Sequence, residues 1–291
     1  MTKLVDFPVA LWEYSFSEAD QLRALNALEQ GGVLSFPQLG FSINEDEGQL
    51  LTPTIAAASK NVSLDLLRDT LRGSTADNKA LGLLRCMMQR FATSNRTLLR
   101  TLLPRYDAGL LPGRISFRPA EIAGRTTSWR KDDTRLHVDS FPSSPVQDKR
   151  ILRVFSNINP HGKSRHWRLG EPFERVASRY FPSLPRPMMG TSQLLKLAGI
   201  TKSRRSAYDH FMLQLHDRMK ADLDYQSNAD QTVCAFNAGS SWLAFTDQTS
   251  HAAMAGQFVL EQTWYLPVAC MAEPSRSPLR ILERLAGREL T

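Results

Sequence analysis

The stretch Arg135-Leu136-His137-Val138-Asp139-Ser140-Phe141-Pro142 reads as a short strand that aims two metal-capable side chains the same way. Side chains alternate between faces along extended backbone, so residues two apart share one. His137 and Asp139 therefore point together, with Val138 opposite. One imidazole and one carboxylate are two members of a 2-His-1-carboxylate facial set, which leaves positions on a non-haem Fe(II) open to oxygen and a chelating cosubstrate. The third member is expected from far down the chain. His251 is the candidate, because Thr246-Asp247-Gln248-Thr249-Ser250-His251-Ala252-Ala253-Met254 follows one strand-like run and precedes another, at a hairpin end where a barrel has its mouth. A lone His-x-Asp is a weak motif. The β-rich runs between residues 137 and 251 strengthen it, since a double-stranded barrel has to close between the two ligands.

Those runs read clearly. Arg114-Ile115-Ser116-Phe117-Arg118 alternates, placing Arg114, Ser116 and Arg118 on one face and Ile115 and Phe117 on the other. Arg150 to Asn159 is the strongest strand and Pro160 ends it. Thr232 to Asn237, Ser241 to Phe245 and Gln257 to Leu266 complete two facing sheets, so a double-stranded β-helix, or jelly roll, in an α+β chain fits better than a parallel α/β sheet. Upstream, Ser17-Glu18-Ala19-Asp20 reads as a capped helix start, Gly31-Gly32 as its stop and Val33 to Pro37 as a strand. From Glu45 to Pro104 the leucine spacing (Leu64, Leu67, Leu71, then Leu81, Leu84, Met88, Phe91) predicts helices. The expected organisation over residues 1–291 is one dioxygenase domain, with a helical scaffold at 1–110, a jelly-roll core at 111–270 and an amphipathic helix at 271–291. A Pro-, Gly- and base-rich insertion at about 182–205 resembles a lid.

The composition sets limits on partners. The 291 residues carry 36 Lys and Arg against 29 Asp and Glu, a formal net charge of +7, which favours an anionic small molecule or membrane surface. No nucleic-acid signature accompanies the charge. Cys86, Cys234 and Cys270 are odd in number and widely spaced, as in a reducing compartment. The N-terminus lacks a signal-peptide core and nowhere is there an apolar run long enough to span a bilayer, so a cytoplasmic protein is expected. The tail helix, with Leu279, Ile281, Leu282 and Leu285 to one side, is expected to dock on the core, with membrane or subunit contact, including a homo-oligomer, as the other reading.

A facial set of this kind uses 2-oxoglutarate and O₂ to hydroxylate an unactivated C–H bond, and the far carboxylate of 2-oxoglutarate calls for a cation. Arginine suits it through bidentate pairing. No Arg or Lys follows His251 between Ala252 and Pro267, so the anchor is expected elsewhere: Arg118 first, with Arg130, Arg153 and Arg168 behind it. Trp167 is placed either as a wall of that pocket or as core. His161, His166, His210 and His216 have no carboxylate two residues on and are expected to lie outside the centre.

At these residues the chain resembles a known family. Arg135 to Ser143, Arg150 to Pro160, Trp167 to Glu174 and Ser250 to Pro267 are similar to the bacterial Kdo (3-deoxy-D-manno-oct-2-ulosonic acid) hydroxylases, over most of residues 110 to 270. The resemblance implies a Fe(II)- and 2-oxoglutarate-dependent dioxygenase that hydroxylates C3 of Kdo to give Ko in the lipopolysaccharide inner core. It implies His137, Asp139 and His251 as catalytic metal ligands, and Arg118 and Trp167 as cosubstrate-binding residues. It also implies a lipid-anchored Kdo acceptor met at the cytoplasmic face of the inner membrane. With that acceptor, the net charge and the basic Lys202-Ser203-Arg204-Arg205 acquire a purpose. The competing readings are a related oxygenase for another anionic small molecule and a non-catalytic barrel that binds an anionic glycolipid.

Overall fold

In the computed structural model, which describes residues 3–57, 61–188 and 191–291, the chain opens with β1 (Leu4–Asp6) and α1 (Glu18–Glu29). Met1, Thr2 and residues 189–190 of the expected insertion lie outside the described residues. The Ser17 hydroxyl caps α1 by accepting from the Asp20 amide at 3.1 Å, and Gly31, at φ 80°, turns the chain into β2 (Val33–Phe36). Helix was expected next, but β3 (Val62–Asp65) and β4 (Thr70–Arg72) form a hairpin in which Leu64 pairs with Leu71. Leucines at 64, 67 and 71 suit a helix face, yet Val62-Ser63-Leu64-Asp65 also alternates. Burial of Val62 and Leu64 in the core decides for the strand, while Leu67 is left exposed at the tip. The helical reading holds for α2 (Asn78–Leu102), whose Leu84, Met88 and Phe91 are fully buried.

The remaining elements are β5 (Leu111–Arg118), β6 (Lys149–Asn157), β7 (Arg165–Leu169), α3 (Phe173–Tyr180), α4 (Thr191–Leu197), α5 (Ala207–Ala221) and α6 (Leu223–Asn228). They are followed by β8 (Thr232–Phe236), β9 (Ser241–Phe245), β10 (His251–Ala255), β11 (Val259–Pro267) and α7 (Pro278–Ala286). Eight strands form one sheet in the order β1-β2-β9-β6-β11-β5-β3-β4, antiparallel except where β1 pairs with β2. A second sheet of three runs β10-β7-β8. The sheets face each other without closing into a continuous barrel, the α+β jelly-roll arrangement, with helices layered on the outside.

Alternation divides the large sheet. Ile115 and Phe117 of β5, Leu152 and Val154 of β6, Leu243 and Phe245 of β9 and Leu260 and Trp264 of β11 bury outward in the core that α2 covers. Phe155, Trp242, Ala244 and Val259 point inward and pack on Trp167, Leu169, Cys234 and Phe236 of the small sheet. Phe236 and Trp242 stack across the gap at 4.1 Å between ring centroids. Arg114, Ser116 and Arg118 share one face, as the sequence predicted, and that face is the inward one, where Arg118 meets the buried Glu261. α7 docks its Leu279, Ile281 and Leu282 on the core, and its Arg280 and Arg284 pair with Glu283 and Glu174.

One connection runs through the interior. The loop from Thr246 to Ser250 between β9 and β10 is almost wholly buried. Arg150, fully buried on β6, grips it: Nε donates to Asp247 Oδ2 at 2.7 Å, Nη2 to Oδ1 at 3.2 Å and to Gln248 Oε1 at 2.7 Å, and the guanidinium lies 4.0 Å over the Phe245 ring. Removing one partner of a buried pair strands the other charge in a dry interior. Arg150→Met is therefore expected to destabilise the fold by about 3–5 kcal/mol, and adding Asp247→Asn to recover part of the loss. Equilibrium urea unfolding measures both; a parental midpoint for Arg150→Met would show that the loop is held by something else.

Candidate metal centre

The segment around His137 is extended but is not a strand of either sheet. It makes a single antiparallel bridge, in which the His137 amide donates to the His251 carbonyl at 3.0 Å and the His251 amide to the His137 carbonyl at 2.9 Å. Two residues on, the Asp139 amide donates to the Thr246 carbonyl at 2.8 Å. Leu136 and Val138 are buried in the outer core, so alternation turns His137 and Asp139 inward. The bridge fixes His251 beside them. One ligand-capable atom from each of the three residues lies within 4.8 Å of the others, and all three residues are buried. A cavity of about 330 Å³, between α1 and Leu169 to Phe173, includes none of the three.

Backbone carbonyls fix the imidazole tautomers. His137 Nδ1 lies 2.7 Å from the Arg135 carbonyl and His251 Nδ1 lies 2.8 Å from the Thr249 carbonyl. A carbonyl only accepts, so each Nδ1 carries the proton and each Nε2 keeps its lone pair. Burial, chiefly, pushes both imidazoles below their ordinary pKa, and for His137 the His251 ring adds to it. Burial alone would push the Asp139 carboxyl up, but the Arg153 guanidinium holds it well below the usual carboxylate range. Arg153 Nη1 is 3.1 Å from Asp139 Oδ2. Two neutral imidazoles and one carboxylate are the donor set that suits Fe(II).

A protein-family profile described as 3-deoxy-D-manno-oct-2-ulosonic acid (Kdo) hydroxylase matches residues 11–289. The chain belongs to the Kdo hydroxylase family. It is similar to the crystal structure of the Kdo hydroxylase KdoO, a non-heme Fe(II) alphaketoglutarate-dependent dioxygenase, in complex with cobalt(II): 47% identity, TM-score 0.97, with 99% of this chain and 97% of that one covered. The same protein with alphaketoglutarate and Fe(III) matches at 47% identity and TM-score 0.97 over 100% and 98% of the two chains. With succinate and Fe(III) it matches at 47% and 0.96 over 99% and 97%. No curated protein matches the chain. Membership of this dioxygenase family sets aside the non-catalytic barrel.

Within this Kdo hydroxylase fold the arginines separate cleanly. Arg118 points inward, its Nε donating to the buried Glu261 Oε2 at 2.6 Å, and Arg153 Nε lies 3.3 Å from the other carboxylate oxygen. Arg130 pairs with Asp217 near the surface, and Arg168, on the outward face of β7, bonds the Thr134 carbonyl and Met254 Sδ. Neither belongs to the interior. Arg165, which the sequence reading passed over, does: it shares the inward face of β7 with Trp167, and its Nη1 donates to the Gly256 carbonyl at 2.8 Å. Burial first, and then the Arg118 guanidinium, push the Arg165 pKa down to about 9. Trp167 stacks on His251 at 5.0 Å between centroids and packs edge-on to Phe155 and Trp242. Two buried donors in this interior, Arg165 Nε and Trp167 Nε1, have no hydrogen-bond partner. Orphaned donors beside two mutually repelling guanidiniums fit an anionic cosubstrate.

His216 departs from expectation. Its ring, on α5, stands edge-on to His137 at 5.4 Å between centroids, so it flanks the centre that it was expected to lie outside; His161, His166 and His210 remain apart from it. The signal was there only in three dimensions, since α5 reaches the site by folding over it. Replacing His137, Asp139 or His251 by Ala is expected to abolish stoichiometric Co(II) binding in a calorimetric titration while the far-ultraviolet circular dichroism stays native. Parental Co(II) affinity for any one of the three variants removes that residue from the centre.

Proposed function

We propose that His137, Asp139 and His251 hold Fe(II), that Arg118, Arg165 and Trp167 take 2-oxoglutarate, and that the centre hydroxylates C3 of Kdo on a lipid A precursor. The observation that supports this most directly is the buried triad with both Nδ1 atoms committed to backbone carbonyls. When bound, Fe(II) with 2-oxoglutarate and O₂ supplies the oxidation, in which one oxygen enters a C–H bond and succinate and CO₂ leave. The chain supplies orientation and dryness. Arg153 neutralises Asp139 and keeps its carboxylate ionised. Glu261 bridges Arg118 and Arg153 and fixes both forks. Phe155, Trp167, Phe236 and Trp242 wall the interior and keep water from the reacting bond.

The acceptor reading extends to the surface. The exposed Leu67 of the β3–β4 turn and the exposed Met188, Leu194, Leu197 and Ile200 of the lid region lie among exposed cations, Arg68, Lys202 and Arg204. The lid is laid on the chain just beyond Asp139: the Lys202 amide donates to the Ser143 carbonyl at 3.0 Å and Arg205 Nη2 to the Pro142 carbonyl at 2.7 Å. Apolar tips among basic residues favour an anionic lipid surface. No described helix is long and apolar enough to cross a membrane, so contact would be peripheral, at the cytoplasmic face.

Arg118→Met is expected to raise the 2-oxoglutarate concentration for half-maximal rate at least tenfold, consistent with about 2–5 kcal/mol for a desolvated charge pair, with Co(II) affinity unchanged. Arg165→Met should act in the same direction. Unchanged cosubstrate dependence in both would move the anchor elsewhere.

With purified enzyme, mass spectrometry of a Kdo-linked lipid A precursor should show a gain of one oxygen on Kdo. On anionic vesicles the rate should fall as salt rises, because a Debye length of about 8 Å at physiological ionic strength screens the approach. Succinate release without oxygen gain on Kdo would leave an oxygenase acting on a different anionic molecule.

A further inference from the structure

Arg114 and Arg118 lie on the same face of β5, four residues apart, or about 13 Å at the rise of an extended strand. Arg118 belongs to the deep end, beside Arg165. Arg114 is near the level of Arg153, where the metal centre lies, since β11 pairs Thr263 with Arg153 on one side and its Gln262 and Trp264 with Ile115 and Pro112 on the other. Tyr265, next along the inward face of β11, lies just beyond Arg153 and Arg114 on the side away from Arg118. Burial raises its pKa, and Arg153 and Arg114 both pull it back.

Around Arg114 the chain gathers further positive charge from two separate elements. The β3–β4 hairpin forms a small cleft lined by Ser63, Asp65, Arg68, Thr70, Arg72 and Arg114. From the lid comes Lys202, its backbone held to Ser143, four residues beyond Asp139. Burial lowers the Lys202 pKa, and the nearness of Arg114, Arg68 and Arg72 lowers it further; Asp65 is the carboxylate that opposes them, and it lies 3.7 Å from Arg114 Nη2. All four cations are exposed, so each was free to turn to water elsewhere on the surface. Like charges brought together by two elements repel unless something anionic lies between them, and guanidinium forks around a cleft suit planar or tetrahedral oxyanions.

We propose that Arg68, Arg72, Arg114 and Lys202 form a second anion site at the mouth of the metal centre, which recognises an oxyanion of the acceptor, either the sugar carboxylate or a phosphate of its lipid carrier. The inner guanidiniums then serve the cosubstrate and the outer ring serves the acceptor, with the reacting carbon held between them. This assignment rests on the Kdo reading for the identity of the acceptor but not for its charge.

The test pairs binding with turnover in an Arg72→Ala/Lys202→Ala variant of the full chain. Without cofactor, inorganic phosphate should show ³¹P line broadening with the parent protein that falls at least fivefold with the variant and returns in Arg72→Lys/Lys202→Arg. With Fe(II) and 2-oxoglutarate, the variant should need at least tenfold more Kdo-lipid A precursor for half-maximal rate, with kcat within twofold and the 2-oxoglutarate dependence unchanged. A matching loss on the methyl glycoside of Kdo, which carries only a carboxylate, assigns the site to the sugar acid. A loss confined to the phosphorylated carrier assigns it to phosphate. Equal broadening in parent and variant, or a rise in the 2-oxoglutarate requirement as large as that for acceptor, overturns the proposal. Phosphate binding that follows the substitutions while Kdo is never hydroxylated keeps the anion site and sinks the Kdo assignment alone.

Discussion

The centre depends on one short meeting of backbone. Residues 137 to 139 and 246 to 251 are joined by three amide-to-carbonyl bonds, which set two histidines and an aspartate side by side before any ligand is considered. Neither segment would hold that position alone. The 246–250 loop stays in the interior because nearly every polar group on it is answered. Asp247 and Gln248 meet Arg150, the Gln248 amide reaches the carbonyls of Glu29 and Arg276, Thr249 reaches Gly31, and the Ser250 carbonyl accepts from Gly170. A buried loop without such partners would carry unsatisfied groups at about 1–3 kcal/mol each. The stability of the fold and the geometry of the site are thus set by the same residues.

Charge inside the jelly roll follows a chain of alternating sign. Asp139, Arg153, Glu261 and Arg118 are linked in sequence by ion pairs, so each buried charge faces its opposite on both sides except at the ends. The inner end is positive, where Arg118 meets Arg165. The outer end is negative, where Asp139 meets the imidazoles. Desolvating four ionised groups costs several kcal/mol apiece, and mutual pairing offsets that cost while leaving one end attractive to a cation and the other to an anion. A single ligand with a metal at one end and a carboxylate at the other matches that polarity.

Much of this was legible in the residues, and the reasons for success and failure are physical. His137 and Asp139 could be placed together because alternation is a property of extended backbone and holds even where no ladder forms. The Arg114 to Arg118 strand was legible for the same cause. Arg165 was equally readable, since it precedes Trp167 by two residues on one strand; proximity in sequence drew attention to Arg168, which alternation sends to the opposite face. The β3–β4 hairpin was misread because leucines at 64, 67 and 71 satisfy a helical period, and only packing against β5 distinguishes the two. His216 could not have been found, because nothing in a sequence states which helix crosses which strand. The outer cation group was hidden in the same way: its members come from three distant stretches.

Cys86, Cys234 and Cys270 are all free, so no covalent link ties one part of this chain to another. The bridge between His137 and His251 supplies the position for a different tie. An ion bound to both imidazoles would close a loop of more than a hundred residues between them, for which chain-entropy reasoning gives a stabilisation of about 4–5 kcal/mol. Reduction cannot cut such a tie, but chelation can. The metal would then be a removable cross-link as well as a reaction centre, and the folded lifetime of the chain would follow the supply of its ion.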